Sequence, residues 1–514
     1  MNSSPALPQR LLILAIVLPI AALIGYLLAD PAEIEAFAIV GLVVSVLVLP
    51  WVLKWHHPML VLSWNASIII MVLPGQPYLW MLLAVISLAL TALNRFLDPN
   101  FKPILVPSVT WTLVILAIVV LITAQLTGGV GLRSMGGSVI GGKKYYLIWF
   151  AILGYFALSV RSLPAAKAGF YAILHFAAGV TTAVGTLAYM AGPAAYFLYA
   201  IFPTDYAMHL VAMDYSTDYM AANISRFSGF SVAGQALLPF FFIRWGARGL
   251  LDWTRPWRMA GLILVVGVSL LGGFRSTLGL FGLLFLVQFW NEGLFRTRLF
   301  PALIAASVTG LTVLYLFAGS LPMSIQRSLT PLPLIPVSQI ARSDAEGSTK
   351  WRQDMWKQLE PEIARHFWLG KGFTASQTTY RLEQEAVRMG LAQDYEMMIL
   401  AGDYHSGWRS ILIPFGIWGL LAFLAFLTAG LRVLWINRHK GEGTLRRVNL
   451  FLLTYYIAKG VFFFAIFGAV AAELFVFTGL VGLSVSLNGG AAVAKSLKTA
   501  TIQRKRAAME RLPQ

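Results

Sequence analysis

The chain has 514 residues, 58% of them hydrophobic and 12% charged, with a formal charge of +17 and no cysteine. An ordinary soluble domain carries about 25% charged residues, so this composition excludes one. The lack of cysteine excludes disulfides, thiol nucleophiles and thiolate metal sites.

About twenty consecutive apolar residues cross a bilayer as a helix, and about fourteen such runs recur along the chain. They fall at 11–29, 35–53, 59–73, 79–94, 104–127, 145–160, 168–190, 228–246, 258–273, 276–290, 299–319, 411–431, 448–467 and 468–488. The first follows Arg10 as a signal peptide would, but it is long and lacks a clear small-x-small cleavage site, so it reads as a retained signal anchor. The stretch 193–202 reads as a re-entrant or interfacial segment. No internal repeat of the transporter kind is visible.

Lysines and arginines in the flanking loops orient the spans. With the N-terminus inside, Lys54, Arg95, Lys102, Arg161, Lys167, Arg244, Arg248, Arg255, Arg258, Arg296, Arg298, the run 432–447 and the tail from Lys495 to Arg511 all fall on one side. That side collects about 23 basic and about 5 acidic residues, so the charge reports topology and anionic lipid, not nucleic acid.

One outer loop, 320–410, holds nearly half of the acidic residues. Pro331, Pro333 and Pro336 predict an extended start. Trp351, Met355, Trp356 and Leu359 recur at helical spacing and predict a helix over 346–364 with an apolar stripe; a second is expected over 376–390.

Three groups stand where outer loops meet the membrane: Arg226 in Asn223-Ile-Ser-Arg226-Phe-Ser-Gly, Arg275 in Gly272-Gly-Phe-Arg275-Ser-Thr, and His405 in Gly402-Asp-Tyr-His405-Ser-Gly-Trp-Arg409. Arg275 interrupts an apolar run, which is costly unless it snorkels to lipid phosphate or faces an anionic pocket. Guanidinium forks match phosphate oxygens, so Arg226 and Arg275 suit a diphosphate. His405 is expected just before a helix starting near Ser406, where the positive helix end keeps imidazole neutral and able to accept a hydroxyl proton. Arg409 lies one turn on, as a third cation or an interfacial anchor. Paired acids occur at Glu33-Ile-Glu35 and Asp394-Tyr-Glu396, neither with a second ligand cluster, so no metal site is assigned. Lys459 and Glu473 read as a buried ion pair or a proton relay. Lys143 and Lys144 stand outside against the usual bias, as additional anion contacts.

At these residues the chain resembles the O-antigen ligase and O-antigen polymerase family of bacterial envelope proteins, over about 220–430. The matching pieces are Arg226-Phe-Ser-Gly-Phe230, Phe274-Arg275-Ser276, Trp351-Arg352-Gln-Asp-Met-Trp356, His366-Phe-Trp-Leu-Gly-Lys-Gly-Phe373 and His405-Ser-Gly-Trp408 ahead of Phe415-Gly-Ile-Trp-Gly-Leu420. The family pattern commonly has Asn at Ser406 and Ser at Phe274. The resemblance implies a metal-independent, cofactor-free inverting glycosyltransferase at the periplasmic face of the bacterial inner membrane, both termini cytoplasmic. It would take a glycan from undecaprenyl diphosphate and pass it to lipid A core oligosaccharide, as a ligase, or to another lipid-linked repeat, as a polymerase. On that view Arg226 and Arg275 hold the diphosphate with Arg409 as helper, His405 is the general base, and Arg352 positions glycan or locks the loop helix. The expected architecture is an all-α polytopic membrane protein of about 12–14 transmembrane helices: a membrane domain over 1–319, a partly helical periplasmic loop over 320–410, helices over 411–488 and a basic tail over 489–514. Competing readings are a lipid-linked glycan transporter, which would line a central cavity with charge, and a non-catalytic assembly factor.

Overall fold

The computed structural model describes Gly25 and residues 34–71, 73, 75–128, 139–140, 142–203, 226–373 and 375–491. Arg10 and the expected span 11–29 apart from Gly25, Glu33, the side chains of Glu35 and Asp394, much of the loops 128–144 and 191–227, and the basic tail lie outside what is described. Among the described residues there are 17 α-helices and one two-residue antiparallel ladder, so the protein is an all-α polytopic membrane protein. Seven helical stretches are long and apolar enough to cross a membrane: Leu79–Leu97, Pro107–Leu126, Ala165–Ala191, Leu299–Ser320, Arg409–Asn437, Gly443–Ala465 and Val470–Asn488.

The chain divides into units 1–59 and 60–514. Helix α1 (Ile34–Ser63) stays helical past Pro50 and Pro58. The two spans expected at 35–53 and 59–73 are therefore not separate, and beyond Ser63 the backbone is irregular, with one bridge from Ile69 to Tyr78. Proline at N1 is a good helix start, but inside an apolar helix it is also tolerated when other groups satisfy the freed carbonyl.

In the second unit, α2 (Leu79–Leu97), α3 (Pro107–Leu126) and α4 (Gly142–Ser159) lead to α5 (Ala168–Ala177) and α6 (Thr182–Ala191), joined through a 3₁₀ turn. Then follow α7 (Ser228–Leu250), α8 (Trp257–Leu270), α9 (Arg275–Asn291) and α10 (Leu299–Phe317). The stretch 193–202, expected to be re-entrant or interfacial, is a 3₁₀ helix over Pro193–Ala200. After α10 come α11 (Met323–Leu329), α12 (Gln339–His366), α13 (Gln377–Arg388) and α14 (Asp394–Leu400), and last α15 (Arg409–Asn437), α16 (Gly443–Ala465) and α17 (Val470–Asn488). The two loop helices expected over 346–364 and 376–390 are present as α12 and α13, the first longer at its N-terminal end because Ser338 caps it, its side chain accepting from Ala341 N. The proline-rich start of the loop is built of turns over 331–335 and extended only from Pro336.

Helix α17 is the most buried span and runs along α4, whereas α10 buries none of its residues. Packing within an apolar solvent relies on small residues and side-chain hydrogen bonds. Thus Trp64 sits in a notch left by Gly154 and Gly479, where a Cβ would come within 2.4 Å and 2.2 Å of its ring. Asn449 and Asn488 exchange amide hydrogen bonds of 2.9 and 2.7 Å across α16 and α17.

Helix α15 is broken near its start. Pro414 cannot donate and Gly416 has φ 64°, which only glycine adopts freely. The freed backbone groups are met by the His366–Phe373 motif: Lys371 N donates to Ile413 O at 2.8 Å and Gly372 N to Pro414 O at 2.9 Å, while Phe367 O accepts from the freed Ile417 N at 2.7 Å. A Cβ on Gly370 would lie 2.2 Å from the Pro414 carbonyl, so this close approach requires glycine. The outer loop is thereby stitched into the helix that follows His405.

Lys459 and Glu473 form a buried ion pair at 2.8 Å between α16 and α17. Lys459→Met should destabilise by ~3–5 kcal/mol, because it strands a buried carboxylate, whereas Lys459→Met with Glu473→Gln should recover most of the loss. Thermal unfolding in detergent reads both.

Candidate active site

The site grows from the turn between α8 and α9. Gly273 has φ 70° and lets the chain reverse immediately before Arg275, the first residue of α9. A Cβ on Gly272 would lie 2.6 Å from that of Ser231, so the turn sits flush against α7. Arg226 precedes α7 on the same side. Across from both stands α12, whose face over one and two turns carries Asp344, Thr349 and Arg352.

These parts converge on one carboxylate. Arg226 donates to both oxygens of Asp344 at 3.3 Å. Arg327, buried on α11, donates through Nε to the same carboxylate and through Nη1 to the Gly273 carbonyl, which ties the Arg275 turn to α12. Arg275 reaches Thr349 Oγ1 on α12 at 3.0 Å. Arg352 belongs to the same field: burial, and then Arg275, Arg327 and Arg226, push its guanidinium down to about 10. Burial and Arg327 lower Arg226 likewise, with Asp344 opposing them. Four guanidinium groups and one carboxylate leave an uncompensated positive field in a partly desolvated place, which is the electrostatic signature of an anion site.

His405 lies beside this field. Its backbone is left-handed at φ 49°, a strained conformation for a residue with a side chain. The turn is held there by close packing, for a Cβ on Gly407 would lie 2.2 Å from the Phe463 carbonyl. Trp356 Nε1 also donates to Tyr404 O at 2.9 Å. The His405 ring stands 5.5 Å from Trp351 and 5.3 Å from Phe467, and its Nδ1 is buried without a hydrogen bond to any described protein atom. Burial keeps the imidazole below its ordinary value; Asp403 opposes that, and Arg352 and Lys144 add to it. At neutral pH it is therefore an uncharged base.

Of the residues singled out in the sequence, Arg226, Arg275 and Arg352 come together, and His405 shares the electrostatic field of Arg352. Lys144 also arrives, its ammonium 5.6 Å from the Phe373 ring, carried in by the ladder that pairs Val139–Ile140 with Ala375–Ser376. Arg409 goes elsewhere. It lies over the Trp408 and Trp356 rings at 4.3 and 4.9 Å, bonds Ser406 Oγ at 3.3 Å, and has Glu360 as its charge neighbour. The helix also begins at Arg409 and not near Ser406, so His405 is held by turn packing more than by a helix end. Sequence reasoning missed Arg327 and Asp344. No local signal marked them, for Arg327 lies between Gln326 and Ser328 and Asp344 between Ser343 and Ala345.

Residues 260–424 match the family model described as O-Antigen ligase, a segment that includes Arg275, Arg327, Asp344, Arg352 and His405 and begins after Arg226. None of the curated proteins compared with the chain matches it. The matched segment of this helical membrane protein, which carries most of its clustered arginines and the histidine, is similar to the O-antigen ligase family.

Proposed function

We propose that the protein is a metal-independent, inverting glycosyltransferase that moves a glycan from undecaprenyl diphosphate to lipid A core oligosaccharide at the periplasmic face of the bacterial inner membrane, both termini being cytoplasmic. The observation that carries this reading is the meeting of Arg226 and Arg327 on Asp344, with Arg275 beside them on Thr349 and Arg352 within their electrostatic field. A departing diphosphate builds negative charge, and prearranged guanidinium groups stabilise it without reorganisation. They supply the positive charge that a divalent cation supplies in other diphosphate chemistry.

In the proposed step an acceptor hydroxyl attacks the anomeric carbon, His405 takes the hydroxyl proton, and the bond from that carbon to the diphosphate oxygen breaks. A single displacement inverts the anomeric centre. Arg226 and Arg275 hold the diphosphate; Arg352 positions the glycan or locks the loop helix. Arg327 and Asp344 act as positioning residues, since each touches other site residues. Arg409 serves better as a clamp on the His405 turn than as a diphosphate ligand, given its stacking on Trp356 and Trp408.

The first experiment is transfer from purified undecaprenyl-diphosphate glycan in chelator. Activity is expected to persist there, and His405→Ala should lower it by ~10²–10⁴-fold while donor still binds. Equal loss of binding and transfer would make His405 a donor ligand. Product found on lipid-linked repeats and not on lipid A core would make the enzyme a polymerase. Because the imidazole is held below its ordinary value, transfer should already be on its plateau at pH 7 and fall only at pH below about 6.5, the ordinary histidine value. A midpoint above that would remove His405 as the base. Arg275→Ala should insert normally and lose transfer by ~10²-fold or more; retained activity would remove the diphosphate clamp.

A further inference from the structure

A second cationic place lies at the far end of α7. Arg226 stands just before that helix and Arg244 near its end, so at 1.5 Å per residue the two are separated by ~27 Å, close to the thickness of the bilayer hydrocarbon. There a cavity of about 390 Å³ opens between α5, α7 and α16. Lys167, Arg244 and Arg447 stand around it, while Phe170, Ile173 and Phe240 form its walls. Among the described residues none of the three cations has an acid within salt-bridge distance. Arg447 is held in place, donating from Nη1 to the Arg244 carbonyl at 3.1 Å and from Nη2 to Thr444 Oγ1 at 3.4 Å. The floor is tight: a Cβ on Gly169 would lie 2.6 Å from Thr444 Cγ2, so α5 and α16 touch beneath the opening. Phe170 and Phe240 remain exposed.

We propose that this cavity binds an anionic phospholipid of the bilayer, with the headgroup phosphate among Lys167, Arg244 and Arg447 and an acyl chain along Phe170, Ile173 and Phe240. Charge complementarity and the apolar walls both point to that occupant. A free anion would be matched by the cations alone and would leave the exposed rings unexplained. A basic pocket between helices at a membrane face is suited to a lipid headgroup. The site lies at the membrane face opposite Arg226 and is independent of the glycan reaction proposed above.

Native mass spectrometry of the full chain from mixed micelles would test it, with phosphatidylglycerol and phosphatidylcholine offered together. The intact protein should retain phosphatidylglycerol in preference. Lys167→Gln with Arg244→Gln and Arg447→Gln should bind it about a hundredfold more weakly, from roughly a factor of five for each cation near an anionic lipid. Lys167→Glu, at an exposed position that does not threaten folding, should weaken it by about fivefold or more on the same reasoning. Equal retention of the two lipids, or Lys167→Glu retaining as much phosphatidylglycerol as the intact protein, would overturn the proposal. So would inorganic phosphate displacing the lipid at matched concentration, which would make the site one for a free anion.

Discussion

The meeting of Arg226 and Arg327 on the Asp344 carboxylate is the contact on which the rest of the site depends. It joins three elements that are distant in sequence: the start of α7, the short helix α11 and the long loop helix α12. Arg327 extends the junction to the Gly273 carbonyl and thereby to Arg275. One carboxylate offsets only part of the charge that four guanidinium groups bring. Like charges so close raise the free energy of the unliganded protein, and a multivalent anion relieves it. The field thus favours a ligand that is itself strongly negative, which a diphosphate is.

A second constraint is the broken start of α15. Within an apolar medium an unpaired carbonyl costs several kcal/mol, so a break must bring its own donors. The Lys371 and Gly372 amides supply them, and in doing so fasten the end of α12 to the helix that follows His405. The hydrophobic packing of Met355, Leu359, Tyr404 and Ile413 fills the space between. A loop of about ninety residues would otherwise be free to move its histidine relative to the arginines, and 1 Å of misplacement is expensive in catalysis. Arg409, wedged between two tryptophans, belongs to this fastening.

Much of this was legible in the sequence, for reasons that can be named. Hydropathy reports spans because lipid leaves the backbone no partner but itself, and the α12 stripe of Trp351, Met355, Trp356 and Leu359 keeps helical spacing whatever it packs against. Arg226, Arg275 and His405 stood out because ionisable groups are costly at the membrane margin. The helix through Pro50 and Pro58 did not follow, since proline normally marks a boundary and only the folded environment decides when it does not. For Arg409, spacing one turn from His405 predicted the same side, and the structure lays its guanidinium over the Trp356 and Trp408 rings.

The sequence by itself determined that the chain is a helical membrane protein, which residues are costly enough to need a purpose, and where the one large loop lies. Those properties are local, set by composition and period over a few turns. Only the tertiary structure decided that Arg327 and Asp344 complete the arginine cluster, that Lys144 comes beside Asp403 and His405, and that Arg409 stacks on Trp356 and Trp408. These are contacts between segments tens to hundreds of residues apart, and no local propensity encodes which distant side chain a buried charge will find.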